Sequence, residues 1–322
     1  MNAAFTGLGV ALATPFSARR TSDQPTGAKR VSKRPGPAPV DFAAYRALIE
    51  HVIDGGADYL VVLGSTGEAA TVSDTERADL IALALDCAGS VPVVVGVGQQ
   101  DTERTCDLAQ MAQDAGAAGI LVVTPFYNKP QPAGIIAHFQ QVAAAAPGMP
   151  IIAYNVPGRT GTNLSPATVA RLWTIPEVIA LKESSGDLRQ IAELCLQTPP
   201  GRHVIAGDDD LALPAIAVGA RGLISVCGTV APAQTRDLVR AAMADDLVAA
   251  RATLRQLAPL MTAMFVETNP VPVKAGLACL GIGTGMVRAP LAPAEPDTWS
   301  RVQAALTGLQ VTRVPAVAGI AS

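Results

Sequence analysis

The fold of this chain is indicated by the sequence VIALKESSG at residues 178–186, in which an apolar run ends on a lysine and a glycine follows. A short apolar run between turn signals is typical of a parallel strand that is buried on both faces. Lys182 would then stand at the edge of an apolar interior, where desolvation disfavours the charged ammonium. A neutral amine there can attack a carbonyl carbon, although a lysine at a strand end can equally extend its amine into water.

Seven other short apolar runs resemble this one, and a helical pattern follows each of the eight runs. The predicted strands cover residues 7–14, 59–63, 91–95, 119–123, 150–154, 178–182, 203–206 and 222–226. The predicted helices cover residues 42–53, 73–88, 101–115, 133–146, 165–173, 187–197, 211–218 and 233–243. Strict alternation implies a parallel sheet, and eight repeats favour a closed barrel over an open sheet. We therefore predict an α/β protein with the (β/α)8 TIM-barrel fold.

No strand pattern follows residue 245, and three helical patterns occupy residues 247–265, 271–280 and 297–309. The predicted organisation is a barrel over residues 1–245 and a C-terminal helical region over residues 246–322. Within the barrel, residues 17–40 contain six basic residues and one acid, so this segment carries +5 and the remainder carries −8. Its proline and glycine content predicts a disordered insertion. Nucleic-acid binding is not expected, because it needs a basic folded face.

Several functional classes are disfavoured by what the sequence lacks. No apolar run reaches the ~20 residues of a membrane-spanning helix, and residues 1–16 contain no basic residue of the kind that begins a secretory signal. The five cysteines are far apart without Cys-x-x-Cys spacing, which argues against a zinc site or a disulfide framework. No glycine-rich nucleotide loop follows any predicted strand. We expect a cytoplasmic protein without a bound metal.

Polar residues collect where the predicted strands end, which in a TIM barrel is the rim that carries the chemistry. These segments are GSTGE at 64–68, TPFYNKP at 124–130, YNVPGRTG at 154–161, GDD at 207–209 and ISV at 224–226. Of the five lysines in the chain, only Lys182 ends a predicted strand. An amine, phenols, hydroxyls and an arginine on one rim fit amine–carbonyl chemistry on a carboxylate substrate, because imine formation needs proton transfers and a guanidinium holds a carboxylate well.

These segments, with KESSG at 182–186 and FVETNPVPVK at 265–274, resemble motifs of the class I pyruvate-dependent aldolase and lyase family. The form YNVPGRT at 154–160 is similar to that of the dihydrodipicolinate synthases within it. The resemblance implies a lyase that condenses pyruvate with L-aspartate 4-semialdehyde through a lysine Schiff base. The product would be 4-hydroxy-tetrahydrodipicolinate, on the route to diaminopimelate and lysine, and no metal or organic cofactor would be required.

Two alternatives remain open at this point. One is another class I pyruvate enzyme, such as an N-acetylneuraminate lyase or a keto-deoxy-sugar aldolase, and Arg159 argues against it. The other is a non-catalytic sensor of a keto acid, and the presence of both Lys182 and Tyr154 argues against that.

The resemblance also implies roles for individual residues in catalysis. Lys182 would form the Schiff base, and Tyr154 would be the acid and base that moves protons. Ser65 would relay protons between Tyr154 and Tyr127, the last of which comes from a neighbouring subunit in relatives. The assembly expected on this basis is a homotetramer built as a dimer of dimers.

Substrate binding is implied for four further positions. Thr66 and the backbone around Ile224 would hold the pyruvate carboxylate, and Arg159 would hold the carboxylate of the semialdehyde. Gly207 would give clearance beside the lysine. Glu68 and Asn155 also match family positions, and we interpret both as structural residues that hold loops by hydrogen bonds.

Inhibition by free lysine is common among relatives of this kind, and the sequence departs from the pattern expected of that effector site. Where a histidine or glutamate and a tyrosine are usual, this chain has Asp74, Arg77 and Phe126, and it has Gln100 and Arg104 where asparagine and glutamate are usual. Arginines near a doubly charged amine would repel it. We predict weak or absent inhibition by L-lysine.

Overall fold

The structure is a computed structural model that describes residues 5–18 and 36–311. The basic residues of the insertion predicted over 17–40 lie outside these ranges, so that prediction concerns residues beyond the described ones. Eight parallel strands pair in chain order and close when β8 pairs with β1, which confirms the predicted (β/α)8 barrel. The strands are β1 Gly7–Ala11, β2 Tyr59–Val62, β3 Val93–Gly96, β4 Gly119–Val123, β5 Ile151–Asn155, β6 Val178–Glu183, β7 His203–Ala206 and β8 Gly222–Ser225.

The helices lie close to the predicted positions. In the described ranges they are α1 Phe42–Asp54, α2 Asp74–Ala88, α3 Thr102–Asp114, α4 Pro132–Ala145, α5 Pro157–Thr160, α6 Pro166–Leu172, α7 Leu188–Gln197, α8 Ala212–Ala217, α9 Pro232–Met243, α10 Leu247–Ala263, α11 Val271–Cys279 and α12 Pro296–Gly308. The short helix α5 was not predicted. Among the strands, β1 differs most, because Leu12 and Ala13 stay buried after the strand has ended and so extend its apolar pattern.

Two helices begin at a serine whose side chain caps the first turn. The Ser73 side chain accepts a hydrogen bond from the Glu76 backbone at the start of α2, and the Glu76 carboxylate accepts one from the Ser73 backbone at 2.9 Å. This reciprocal arrangement satisfies two backbone donors that the first helical turn leaves unpaired. At α6, the Ser165 side chain accepts from the Thr168 backbone, and Pro166 occupies the first turn.

The apolar core has two layers, one inside the barrel and one between the barrel and its helices. Inside, the rings of Phe5 and Tyr59 lie 5.5 Å apart at the end of the barrel where the strands begin. A side chain at Gly9 would come within 2.4 Å of the Tyr59 ring, so the glycine leaves the space that this ring fills. These rings close one end of the barrel and leave the other end, where the strands finish, for polar residues.

The three C-terminal helices pack against the barrel and against one another. Helix α10 contacts α9, α12 contacts α10 and α11, and α11 contacts the turn that follows β8. The chain therefore returns to the strand-end rim after the barrel is complete. Among the helices of the described ranges, none combines the length and the apolar character that crossing a membrane requires.

Candidate active site

Lys182 lies on β6 with its side chain directed into the barrel mouth and only 6% of its surface exposed. Tyr154 is its neighbour on β5, and the Lys182 Nζ atom lies 4.3 Å from the centre of the Tyr154 ring. Within the described residues, Lys182 forms no ion pair with a carboxylate. The amine is thus buried beside a phenol and has no carboxylate in direct contact within the described residues.

The strand places the neighbour of Lys182 on the opposite face, as alternation along a strand requires. Glu183 is fully buried there, and its carboxylate accepts hydrogen bonds from Asn155 Nδ2 at 2.9 Å and from the Ser185 backbone at 2.8 Å. Burial raises the pKa of the Glu183 carboxyl. Asn155 also accepts from the Leu164 backbone at 2.9 Å. This network fixes the ends of β5 and β6, which confirms Asn155 as a structural residue.

A cavity of about 70 Å³ opens at the amine. Six of the eight predicted site residues line it, namely Lys182, Tyr154, Ser65, Thr66, Arg159 and Gly207. A wider cavity of about 320 Å³ shares Ser65, Tyr154 and Arg159 with it and continues toward the solvent. A side chain at Gly207 would meet the Ser184 Oγ atom and come within 2.9 Å of the Lys182 Cε atom, so the position excludes anything larger than glycine beside the amine.

The two other predicted residues do not line the cavity at the amine. Tyr127 is 85% exposed and has a positive φ of 69°, and its side chain is not packed against its own barrel. Ile224 is fully buried inside the barrel below the cavity. No hydrogen bond joins Tyr154, Ser65 and Tyr127 in the described part of the chain, so the predicted proton relay is not closed within one copy.

Asn269 is a site residue that the sequence interpretation did not single out. Its side-chain Nδ2 atom donates to the Thr66 Oγ1 atom at 2.9 Å, and its backbone oxygen accepts from Arg159 Nη2 at 3.2 Å. It also lines both cavities. Its place in FVETNPVPVK was the available signal, but only the fold brings it 203 positions back to Thr66.

Two aspartates after β7 lie close to the amine without pairing with it. Burial raises the pKa of the Asp208 carboxyl, and the positive charge of Lys182 acts in the opposite direction. Asp209 is fully buried and accepts hydrogen bonds from the Ser225 hydroxyl and, at 3.0 Å, from the Val226 backbone. Burial raises the pKa of this carboxyl as well. Asp209 therefore fixes the end of β8, and Asp208 lines the cavity.

A buried charged cluster, the Phe16 cluster, lies behind the Ser65–Thr66 turn and consists of Phe16, Glu68, Lys274 and Arg288. The Lys274 Nζ atom lies 2.5 Å from the Glu68 Oε1 atom, and Glu68 also accepts from the Arg288 backbone at 2.9 Å. Lys274 Nζ and Arg288 Cζ lie 3.9 Å and 4.2 Å from the centre of the Phe16 ring. Burial lowers the pKa of Lys274 to about 8. The contacts confirm that Glu68 is structural.

The residues at the predicted effector positions are already engaged. Arg77 is buried, and its guanidinium donates to the backbone oxygens of Gly96 at 3.3 Å and Ala69 at 3.1 Å. Burial lowers the pKa of Arg77. Arg104 forms an ion pair with Asp74, so that carboxylate is not free to receive an amine. In the described ranges, no group of three or more histidine, cysteine or acidic residues is arranged to hold a metal ion.

Comparison with known proteins shows which family the chain matches. The model of the dihydrodipicolinate synthetase family matches residues 37–309. The chain is 44% identical to a 4-hydroxy-tetrahydrodipicolinate synthase of Salinibacter ruber, covering 90% of this chain and 91% of that one. It is 45% identical to the corresponding protein of Thermomicrobium roseum, covering 83% and 88%.

Solved structures give the same likeness. The structure is similar to dihydrodipicolinate synthase from Aquifex aeolicus, with a TM-score of 0.87, 34% identity and coverage of 96% of this chain and 99% of that one. It is equally similar to the enzyme from Acinetobacter baumannii in complex with pyruvate, with a TM-score of 0.87, 32% identity and coverage of 96% and 100%. Both matches extend over almost the whole of each chain.

Proposed function

The chain belongs to the dihydrodipicolinate synthetase family, and we propose that Lys182 is the nucleophile with which it condenses pyruvate and L-aspartate 4-semialdehyde. The product is 4-hydroxy-tetrahydrodipicolinate, a precursor in the synthesis of diaminopimelate and lysine. The observation that carries the proposal is the buried Lys182 amine, which lies 4.3 Å from the ring centre of Tyr154 in a cavity and has no carboxylate partner in the described ranges.

The reaction begins with a bond between the Lys182 nitrogen and the keto carbon of pyruvate. The resulting carbinolamine loses water to give an imine, and loss of a proton from the pyruvate methyl group gives an enamine. Its carbon then attacks the aldehyde carbon of the second substrate. Tyr154 carries protons to and from these intermediates, because its phenol is beside the amine and can act as acid and base. The imine accepts the electron pair, so the reaction as proposed needs no added cofactor.

Release of the enzyme follows from the second substrate's own amino group. That nitrogen attacks the imine carbon, a six-membered ring closes, and the bond from this carbon to Lys182 breaks. The lysine amine is regenerated and the hydroxyl formed from the aldehyde stays on the ring. Gly207 supports this exchange by leaving space beside the Lys182 Cε atom, where both nitrogens must be accommodated.

The two substrate carboxylates are held by different groups. Thr66 offers a hydroxyl in the cavity at the amine, and we assign the rest of the pyruvate site to the backbone around Ile224, because Val226, two residues further on, lines the same cavity. Arg159 stands at the mouth of the cavity, and only one of its N–H groups is used by the Asn269 backbone oxygen. The remaining donors can bind the semialdehyde carboxylate in a two-pronged contact. Arg159 is the residue that favours this substrate over those of the sugar-acid lyases.

The assembly we propose is a homo-oligomer, a tetramer formed as a dimer of dimers. Tyr127 supports it, because an 85% exposed tyrosine that lines neither cavity of its own copy is free to enter the site of a second copy. There it would complete the relay from Tyr154 through Ser65. We place the protein in the cytoplasm, where both small substrates are metabolised, and we propose no nucleic-acid or membrane partner.

Borohydride trapping tests the nucleophile directly. The full-length protein is incubated with pyruvate, reduced, digested and analysed by peptide mass mapping, with a sample reduced in the absence of pyruvate as the control. We expect one pyruvate-derived mass increment on the peptide that contains Lys182. A label on Lys129 or Lys274, or no label at all, would overturn the assignment.

A further inference from the structure

We propose that Asn269 is a positioning residue that sets the direction of the Thr66 hydroxyl, so that Thr66 donates its hydrogen to the pyruvate carboxylate. This inference rests on the proposed function, since it concerns how the first substrate is held. It adds a residue and a direction of hydrogen bonding to the site described above.

The inference depends on the direction of one hydrogen bond, between Asn269 and Thr66. The Asn269 Nδ2 atom donates to the Thr66 Oγ1 atom at 2.9 Å. Both residues are buried, with 3% of the surface of Thr66 and 6% of the surface of Asn269 exposed. A hydroxyl has one hydrogen to donate, and its oxygen accepts from other groups. With the oxygen engaged by the amide, the Thr66 hydrogen remains available to an acceptor in the cavity. A carboxylate is such an acceptor at every pH at which the enzyme would work.

The location of Asn269 is fixed from two directions. It precedes α11, and Lys274 on that helix is paired with Glu68, two positions after Thr66 in the chain. The Asn269 backbone oxygen also accepts from Arg159 at 3.2 Å. The amide is therefore held against the hydroxyl before any substrate arrives, and one residue touches the groups assigned to both carboxylates.

Packing alone does not explain this amide. The Asn269 Oδ1 atom is buried and has no hydrogen-bond partner among the described residues. Leaving a buried acceptor unpaired destabilises a protein, so a residue chosen for stability would be expected to satisfy both ends of its side chain. The end that is satisfied is the one that directs Thr66.

Replacement of the amide by a carboxylate tests the direction of the bond. In Asn269→Asp the side chain keeps its shape, but an ionised carboxylate only accepts, so it draws the Thr66 hydrogen toward itself. We expect the KM for pyruvate to rise about tenfold to a hundredfold, as for the loss of a hydrogen bond to a charged group. The KM for the semialdehyde should change much less, because Arg159 contacts the backbone of Asn269 and not its side chain. Gln256→Glu, which also replaces an amide by a carboxylate, at an exposed position of α10 outside the two cavities, is the control.

A double-mutant cycle separates positioning from general damage. The variants are Asn269→Leu, Thr66→Val and their combination, with Thr66→Ser as the conservative variant that keeps the hydroxyl. If Asn269 acts through Thr66, the Asn269→Leu change raises the pyruvate KM in the parent but has little further effect when the hydroxyl is absent. In the Thr66→Ser background the hydroxyl is kept, so Asn269→Leu should again raise the pyruvate KM. Circular dichroism of each variant reports on folding.

The outcomes distinguish this inference from the proposed function. A folded Asn269→Asp variant with a pyruvate KM within about twofold of the parent, below the effect expected of a lost charged hydrogen bond, overturns the inference. Full additivity in the cycle does the same, because independent residues add. If instead the parent protein itself is not labelled by pyruvate and borohydride, the proposed function fails first. Labelling of the parent at Lys182 with unchanged variants leaves the function standing and removes only the role of Asn269.

Discussion

Lys182 and Lys274 are both buried lysines whose ammonium groups lie about as close to an aromatic ring, 4.3 Å from Tyr154 and 3.9 Å from Phe16. They differ in their partners. Lys274 has Glu68 at 2.5 Å, whereas Lys182 has no ion-pair partner in the described ranges. The carboxylate fixes the Lys274 amine as an ammonium with no lone pair to attack a carbonyl. The lowered pKa of Lys274 alone would nominate Lys274 as the nucleophile, whereas the lack of a carboxylate partner supports the proposed role of Lys182.

The largest effect is expected when the unpaired lysine is removed. Lys182→Ala should abolish trapping of pyruvate and reduce turnover to background, because no other lysine in the described ranges lines the cavity at the amine. The fold should persist, since a methyl group replaces a side chain at the rim. Peptide mapping and circular dichroism measure the two properties. Labelling of Lys182→Ala at the rate of the parent would show that a lysine other than Lys182 binds pyruvate.

The paired lysine should give the reverse result. Lys274→Met leaves Glu68 buried without a cation, so we expect a loss of about 3–5 kcal/mol in the free energy of unfolding, measured by urea titration. Labelling at Lys182 should remain in the folded fraction. The double variant Glu68→Gln/Lys274→Met removes both charges and should recover part of the loss. A stable Lys274→Met variant that cannot be labelled would contradict the division of roles.

Arg159 is an exposed cation, unlike the two buried lysines, and is proposed to bind the second substrate. Because it is exposed and its Nη2 atom donates to the Asn269 backbone oxygen, we expect its role to be limited to this substrate. Arg159→Ala should lower kcat/KM for the semialdehyde by about a hundredfold, the loss expected for a two-pronged carboxylate contact. Labelling by pyruvate should be nearly unchanged. Equal damage to both steps would mean that Arg159 serves the lysine as well.

His138 is a third buried base, and its partner is a neutral hydroxyl instead of a carboxylate. Its Nδ1 atom lies 3.0 Å from the Thr102 hydroxyl, and burial lowers its pKa to about 4. The unfolded chain binds this proton near pH 6.5 but the folded protein does so only near pH 4, so stability is complete above pH 6.5 and falls as the pH drops toward 4. The loss should be up to about 3 kcal/mol. Burial lowers the pKa of His51 and His203 in the same direction.

Urea titrations at a series of pH values measure this dependence. The His138→Gln variant keeps a polar side chain that does not titrate, so its stability should fall less steeply between pH 6.5 and 4. The same slope in the parent and the variant would mean that His138 does not carry the effect.

The smallest effect is expected for free lysine, an amine offered from solution to groups that are already engaged. Arg77 binds backbone oxygens and Arg104 is paired with Asp74, so the predicted effector position presents positive charge and no free carboxylate. Millimolar L-lysine should leave the initial rate at saturating pyruvate nearly unchanged. Half-inhibition well below a millimolar would reveal an effector site that these contacts do not exclude.

The sequence predicts the barrel well because most strands are continuous apolar runs and several helices have a start or stop signal, such as Ser73 before α2 and Gly55 after α1. The sequence singles out Lys182 because it is the only one of the five lysines that ends a predicted strand. Pairings between distant segments have no such signal. Glu68 and Lys274 are 206 positions apart, and Thr66 and Asn269 are 203 apart, so only the closed fold brings them together. The burial of Arg77 has no sequence signal either, because its guanidinium donates to the backbone oxygens of Gly96 and Ala69, which lie outside its own helix.

One feature of the backbone bears on how this protein could be engineered. Phe16 pairs with Val40 as a short antiparallel bridge, and hydrogen bonds from Ser17 to Pro39 at 3.0 Å and from Asp41 to Pro15 at 2.9 Å tie the two sides together. The chain thus leaves and re-enters the barrel at one clamped point. For flexible segments in general, each doubling of length between two fixed ends costs only about 0.6 kcal/mol. A binding peptide or reporter domain on flexible linkers could therefore be grafted between these ends without displacing Lys182.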